Sequence, residues 1–384
     1  MTTTGSCFMP TRYALLSTYP PTQCGLATFT AALVTHLRRP GDQVSVVRVL
    51  DEPAPRPAPE VVHDLVAGSA ASAVAAADVL NSFDVVIVQH EYGIYGGADG
   101  QDVVSLLAGL YVPTIVVLHT VLAKPTPRQR AILENVIAGA GAVVTMTMTA
   151  RSRLLADYGA PAGKVFVIPH GAPDNRVPAS SPGAGVRPSV LTWGLLGPGK
   201  GIEHAIDAIA LLRGGGLQAD YQVAGQTHPR VLDRDGEAYR QGLIARARDR
   251  GVSDRVHFDA RFLPAAALGK VISGADVVLL PYDSLDQVTS GVLIEAVAAG
   301  KPVVSTGFPH ATELLGGGAG LLVGRQDPAG IARALQRVLT EPGLSARMSR
   351  CSADLAPHLL WPAVARSYRR LAASLAAERE EAMA

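Results

Sequence analysis

The chain has 384 residues, long for one domain and comfortable for two, and its 34 Lys and Arg against 33 Asp and Glu leave a formal charge of +1. That balance points away from nucleic acid as a partner, and a hydrophobic content of 48% is ample for large buried cores. No apolar run approaches the ~20 residues of a membrane span, no signal-like n-region and h-region open the chain, and the three cysteines, Cys7, Cys24 and Cys351, are scattered. The expectation is a cytoplasmic protein in a reducing compartment, with no zinc site and with membrane contact peripheral at most.

Short apolar runs alternate with helical patterns, which predicts parallel sheets in α/β layers. Residues 13–17 read as the first strand, followed by a loop at 18–24 with Pro20 and Pro21. Gly25 opens a helix with Leu26, Phe29, Leu33 and Leu37 on one face. Strand 44–49, a proline-rich loop at 51–59, an alanine-rich helix at 68–81 and strand 85–89 come next. The loop 90–100 reads HEYGIYGGADG. Strand 114–118 ends at His119, and helix 127–139, strand 142–147, helix 149–158 and strand 165–168 complete the first half. Residues 172–188 lack periodicity and are rich in Pro, Ser and Gly, as an interdomain linker would be. Beyond them the alternation restarts. Strands are predicted at 190–193, 221–224, 256–258, 277–280, 303–305 and 320–323, with helices between and a helix at 328–339 after the last. A break at Pro357 precedes an amphipathic terminal helix, 363–377, led by Trp361-Pro362.

The most informative stretch is 282–306. The buried strand before it stops at Pro281 and Tyr282, a polar loop follows, and Ser290-Gly291-Val292 opens a helix that Gly300 closes. Such a junction lies at the carboxyl end of a parallel sheet, where ligands bind. The helix start offers free backbone N–H groups to an anion, and Gly291 allows close approach. Glu295, one turn further in, is placed to accept hydrogen bonds from a ribose diol, as acidic residues do in other nucleotide sites. The alternative is an acid that complements the helix dipole.

This stretch resembles the donor-site signature of the family 4 retaining glycosyltransferases, whose pattern is Glu, seven residues, Glu, then Ala and an A-x-G-x-P-V-V run. Here the second Glu is Glu295, followed by Ala296 and by Ala299-Gly300-Lys301-Pro302-Val303-Val304. Gln287 stands where the first Glu would be, as a sugar-orienting amide without charge. The loop 194–201, GLLGPGKG, fails the Walker A spacing. It resembles the family's diphosphate loop, with Gly194 and Lys200 in place and Leu195 at the position of the family's arginine. By the same resemblance, Gly225 lines the nucleotide site, and Arg261, Phe262 and Leu263 meet the base with their backbone. Gly25 faces the donor phosphates, and His119 lies near the donor sugar. Gln89, His90, Glu91 and Tyr92 top a strand and are polar enough to contact an acceptor. His170-Gly171 resembles an element that enters the hinge and takes a structural role, while the loop histidine His228 is left unassigned.

The resemblance runs along most of the chain and is strongest over 190–315. It implies an α/β protein of GT-B architecture, two Rossmann-like domains facing across a cleft. The first would span 1–180 on the acceptor side, with the terminal helix at 361–384 packed back on it, and the second would be a donor-binding domain at 186–357. The implied activity is retaining transfer of a hexose, of mannose or glucose type, from a nucleoside-diphosphate sugar to a hydroxyl acceptor that is a saccharide, lipid-linked or a small molecule. His119, Lys200, Glu295 and Gln287 would carry the chemistry, with no cofactor or metal and with homodimerisation open. Two alternatives stand beside it: a nucleotide-sugar epimerase on the same fold, and a non-catalytic nucleotide-sugar-binding partner.

Overall fold

The computed structural model describes residues 10–56, 58–176, 187–284 and 287–383. The chain divides into two compact units, Met1–Pro169 with Trp361–Ala384, and His170–Leu360.

The first unit is built on a seven-stranded, wholly parallel sheet. Its strands are β1 (Arg12–Ser17), β2 (Gln43–Leu50), β3 (Val61–Val66), β4 (Val85–His90), β5 (Thr114–Leu118), β6 (Ala142–Thr145) and β7 (Val165–Val167), in the order β3-β2-β1-β4-β5-β6-β7. The central strands are buried from end to end, which is why they read as continuous apolar runs. The sheet order reverses between β1 and β4, and this reversal opens a crevice at their carboxyl ends.

The second unit repeats the plan with β8 (Ser189–Trp193), β9 (Asp220–Ala224), β10 (Val256–Asp259), β11 (Val277–Leu280), β12 (Val303–Thr306) and β13 (Gly320–Val323). Their order is β10-β9-β8-β11-β12-β13, so the reversal here falls between β8 and β11.

Four details differ from the sequence reading. Strand β3 was not predicted, because His63 and Asp64 interrupt its apolar pattern. It is an edge strand with four half-buried positions, and its Asp64 pairs with buried Arg48 of β2 at 2.9 Å. The helix Asp102–Ala108 is too short for a period of 3.6 to show. Pro357 does not break the chain: it lies inside the helix Leu344–Leu359, and the interruption comes at extended Leu360. The first unit ends at Pro169, before the position expected near residue 180, because Ala172 donates to the Leu359 carbonyl at 2.8 Å and so joins the second unit. Residues 177–186 of the expected linker lie outside the described residues.

The terminal helix, Trp361–Met383, packs on the first unit's helix Gly25–Leu37. Trp361, Val364, Tyr368 and Leu371 enter the same core as Phe29, Leu33 and Leu37. Phe29 meets the Trp361 ring edge-on at 5.0 Å and, on its other side, the His119 ring at 5.0 Å. Trp361→Ala should therefore destabilise the first unit by about 3–5 kcal/mol, the range for truncating a buried aromatic side chain. Urea unfolding followed by circular dichroism measures it, and an unchanged midpoint would contradict this packing.

Candidate functional site

In the second unit, the loops that leave β8, β9 and β11 meet backbone to backbone. Gly225 (φ +138°) lies so close to the loop after β8 that a Cβ on it would stand 2.0 Å from the Gly194 carbonyl oxygen. A Cβ on Gly201 (φ +64°) would stand 1.9 Å from the carbonyl oxygen of Pro281. Only glycine satisfies both the left-handed backbone and the missing space. Hydrogen bonds complete the join: Leu196 N–H to the Gln226 carbonyl and His228 N–H to the Leu196 carbonyl, both 2.8 Å, and Asp283 N–H to the Gly199 carbonyl at 2.9 Å. Buried Arg240 braces the middle loop by donating to the Gly225 carbonyl and to Glu237 at 3.0 Å each, and Glu237 in turn accepts from Thr227.

The helix Gly291–Ala298 starts at this junction with Ser290 as its N-cap, whose hydroxyl accepts from the Leu293 N–H at 3.3 Å. The Ser290 N–H is also engaged, donating to His310 Nδ1 at 2.9 Å. The sequence reading gave the amides of 290–292 to an anion; the structure occupies that of Ser290 and leaves those of Gly291 and Val292 to that role. Burial holds His310 neutral, with its pKa down at about 4. The His170 ring covers Gly291, with Nε2 2.9 Å from where a Cβ would be, so the glycine is required by a histidine inside the fold as well as by any ligand.

Glu295 is only partly exposed, and Oε2 accepts from the Trp193 indole N–H at 3.2 Å. Burial pushes its pKa up to about 7, and the indole hydrogen bond pulls weakly the other way. An acid used only to complement a helix dipole would not need such a partner, whereas a carboxylate held by an indole is oriented. Trp193 escaped the sequence reading; its signal was a tryptophan at a strand end, whose N–H must find an acceptor once buried.

Lys200 rests with Nζ 4.2 Å from the centroid of the buried Tyr282 ring. Gln287 donates from its side chain to the Thr289 carbonyl at 3.2 Å, inside its own loop. Arg261 folds back on Asp259 with bonds of 2.8 and 2.7 Å, and its N–H also donates to Asp259. Its backbone N–H is therefore engaged within its own loop, while its carbonyl is not involved in these bonds. Phe262 is exposed, and Leu263 packs against the core.

In the first unit, the β1/β4 reversal gathers the loop before Gly25 and the ends of β4 and β5. Cys24 caps the Gly25–Leu37 helix, its Sγ accepting from the Ala27 N–H at 3.4 Å, and a Cβ on Gly25 would meet nothing within 4 Å. Half-buried His119 holds Gln89, with Nε2 to Oε1 at 2.7 Å. Gln89 is fully buried and its carbonyl accepts from the Tyr95 hydroxyl at 2.7 Å. It positions His119 and does not present itself at the surface. His90, read as an acceptor contact, is likewise turned inward: it is buried, neutral with a pKa of about 4, and packs on Tyr92. Glu91 accepts from Thr120 and from the Tyr92 N–H, and the Tyr92 hydroxyl donates to the Gln129 carbonyl at 3.2 Å. Among the described residues, no three His, Cys, Asp or Glu side chains are grouped as a metal site would require, and no helix is long and apolar enough to cross a membrane.

Residues 187–341 match the family model described as Glycosyl transferases group 1, and residues 24–176 match Glycosyltransferase Family 4. Between them the two matches span most of the chain. The chain belongs to glycosyltransferase family 4. Among its relatives is a D-inositol 3-phosphate glycosyltransferase of Acidothermus cellulolyticus, 31% identical over 65% of this chain and 59% of the relative. Another is an α-D-kanosaminyltransferase of Streptomyces kanamyceticus, 27% identical over 58% of this chain and 57% of the relative. The chain thus spans less than two thirds of the length of these relatives. Of solved structures, a sucrose-phosphate synthase of Thermosynechococcus elongatus superposes with a TM-score of 0.76 at 20% identity, covering 96% of this chain and 100% of that one. HepE of Anabaena, in complex with UDP and glucose, gives 0.72 at 17% identity, covering 94% and 99%. At these identities the likeness is one of fold, and the fold of this family 4 chain is of GT-B type.

The raised pKa of Glu295 has a consequence for stability. Its folded pKa lies above the unfolded value, so its contribution is fully present below about pH 4.5 and is lost as pH rises through about 7. Wild type should therefore lose stability relative to Glu295→Gln between pH 5 and pH 8. Parallel urea titrations at the two pH values measure the difference, and a constant offset would show that the carboxyl is not desolvated.

Proposed function

We propose that this family 4 chain is a retaining glycosyltransferase that moves a hexose from a nucleoside-diphosphate sugar to a hydroxyl acceptor. The observation that carries the reading is Glu295, held by Trp193 beside the β8/β11 reversal, one turn inside a helix whose Gly291 and Val292 amides remain for an anion. In this reading Glu295 accepts from the ribose diol, those amides and Lys200 take the diphosphate, and Gln287 orients the sugar as a neutral amide. His119, positioned by Gln89, is assigned to the sugar end on the strength of the family resemblance.

The proposed chemistry balances without a protein nucleophile. The acceptor oxygen bonds to the anomeric carbon on the face from which the diphosphate departs. The bond from that carbon to the diphosphate oxygen breaks with its electron pair, and the acceptor proton passes to that oxygen. Charge gathers on the leaving group, so the protein's task is electrostatic. A metal is not assigned a part in this scheme, and unchanged turnover in excess EDTA is the matching expectation. The names of several relatives, D-inositol 3-phosphate glycosyltransferases, make phosphorylated polyols a first acceptor class to try.

Thermal shift with UDP, GDP and their hexose conjugates tests donor binding, since a ligand at 100 times its Kd adds about 2.7 kcal/mol. Glu295→Ala should weaken nucleoside diphosphate binding by roughly 10- to 100-fold, the effect of losing charge-assisted hydrogen bonds. Equal affinity in wild type and variant would remove the ribose assignment. Lys200→Ala should depress turnover more than it weakens binding of intact donor, because a cation at the leaving group matters most as charge develops. Steady-state kinetics beside calorimetry separates the two, and a parallel loss in both would assign Lys200 to ground-state binding alone.

A further inference from the structure

The diphosphate loop has lost a cation at Leu195, yet a diphosphate carries at least two negative charges. The loop after β9 lies directly against it. Leu196 pairs with Thr227 as an isolated parallel bridge, and His228 N–H bonds the Leu196 carbonyl at 2.8 Å. A Cβ on Gly197 would stand 3.2 Å from the Val231 side chain. Between these contacts sit His228 and Arg230, and Arg230 is exposed. The His228 ring accepts the Arg230 N–H through Nδ1 at 3.2 Å, so the neutral ring carries its proton on Nε2. Burial lowers the pKa of His228, and the positive charges of Arg230 and Lys200 lower it further.

We propose that Arg230 supplies the second cation for the donor diphosphate, so that Lys200, Arg230 and the Nε2–H of neutral His228 form one anion cradle assembled from two loops. A guanidinium suits this task because its planar fork bonds two phosphate oxygens at once. The inference rests on the donor-site reading above and names a residue that the family signature does not supply.

Calorimetry with UDP and GDP, and with uridine and guanosine as controls lacking phosphate, tests it. Arg230→Ala should weaken binding of the better nucleoside diphosphate by about tenfold or more and leave the matching nucleoside unchanged. Moving the charge back, in the double variant Arg230→Ala with Leu195→Arg, should recover most of the loss. If wild type binds a nucleoside diphosphate and Arg230→Ala binds it equally well, the cradle is wrong and the donor site stands. Equal loss for diphosphate and nucleoside would also overturn it, since the residue would then be shaping the loop. If wild type binds neither UDP nor GDP, the donor-site reading itself fails.

Discussion

The second unit depends on backbone meeting backbone where β8 and β11 part. Gly225 presses on the Gly194 carbonyl and Gly201 on that of Pro281, at distances no side chain would permit. These contacts fix three loops against one another before any side chain takes part. Lys200, His228 and the Ser290 cap then stand on a frame made of main chain, which has little freedom to drift. A site that must receive a charged group benefits from this, because preorganised dipoles need no rearrangement when charge arrives.

The first unit solves a similar problem with side chains. Its terminal helix puts Trp361 against Phe29, Phe29 supports the edge of His119, and Gln89 fixes the far side of that ring. The terminal helix thus supports the His119 ring through Phe29. Gln89 and His90 look alike in sequence, two polar residues at a strand end. Their roles diverge because one finds a partner in the next loop while the other is packed among apolar neighbours and stays neutral.

Histidines recur at the start of the Gly291–Ala298 helix. His310 takes the Ser290 N–H and His170 lies over Gly291, both neutral because burial disfavours the charged ring. Two neutral rings there add no charge to the positive end of the helix. Glu295 is tuned in the opposite sense, lifted towards neutrality by the same loss of water.

Much of this was legible from the chain alone. Most of the parallel strands announced themselves as unbroken apolar runs, because strands buried on both faces cannot carry polar residues. The helix opening at Ser290, the glycine at 194 and the acid at 295 were visible through spacing, since a strand–loop–helix junction constrains residue type within a few positions; the glycine at 225 came from the family resemblance. Edge strand β3 was missed for the complementary reason: one open side permits His63 and Asp64, and the pattern dissolves. Tertiary structure alone decided the pairings that bridge long separations. Trp193 reaches Glu295, His310 reaches Ser290, and His228 meets Leu196, because sheet order places loops together that the chain keeps far apart. A local pattern records what each segment must bury; it holds no record of which distant segment will do the burying.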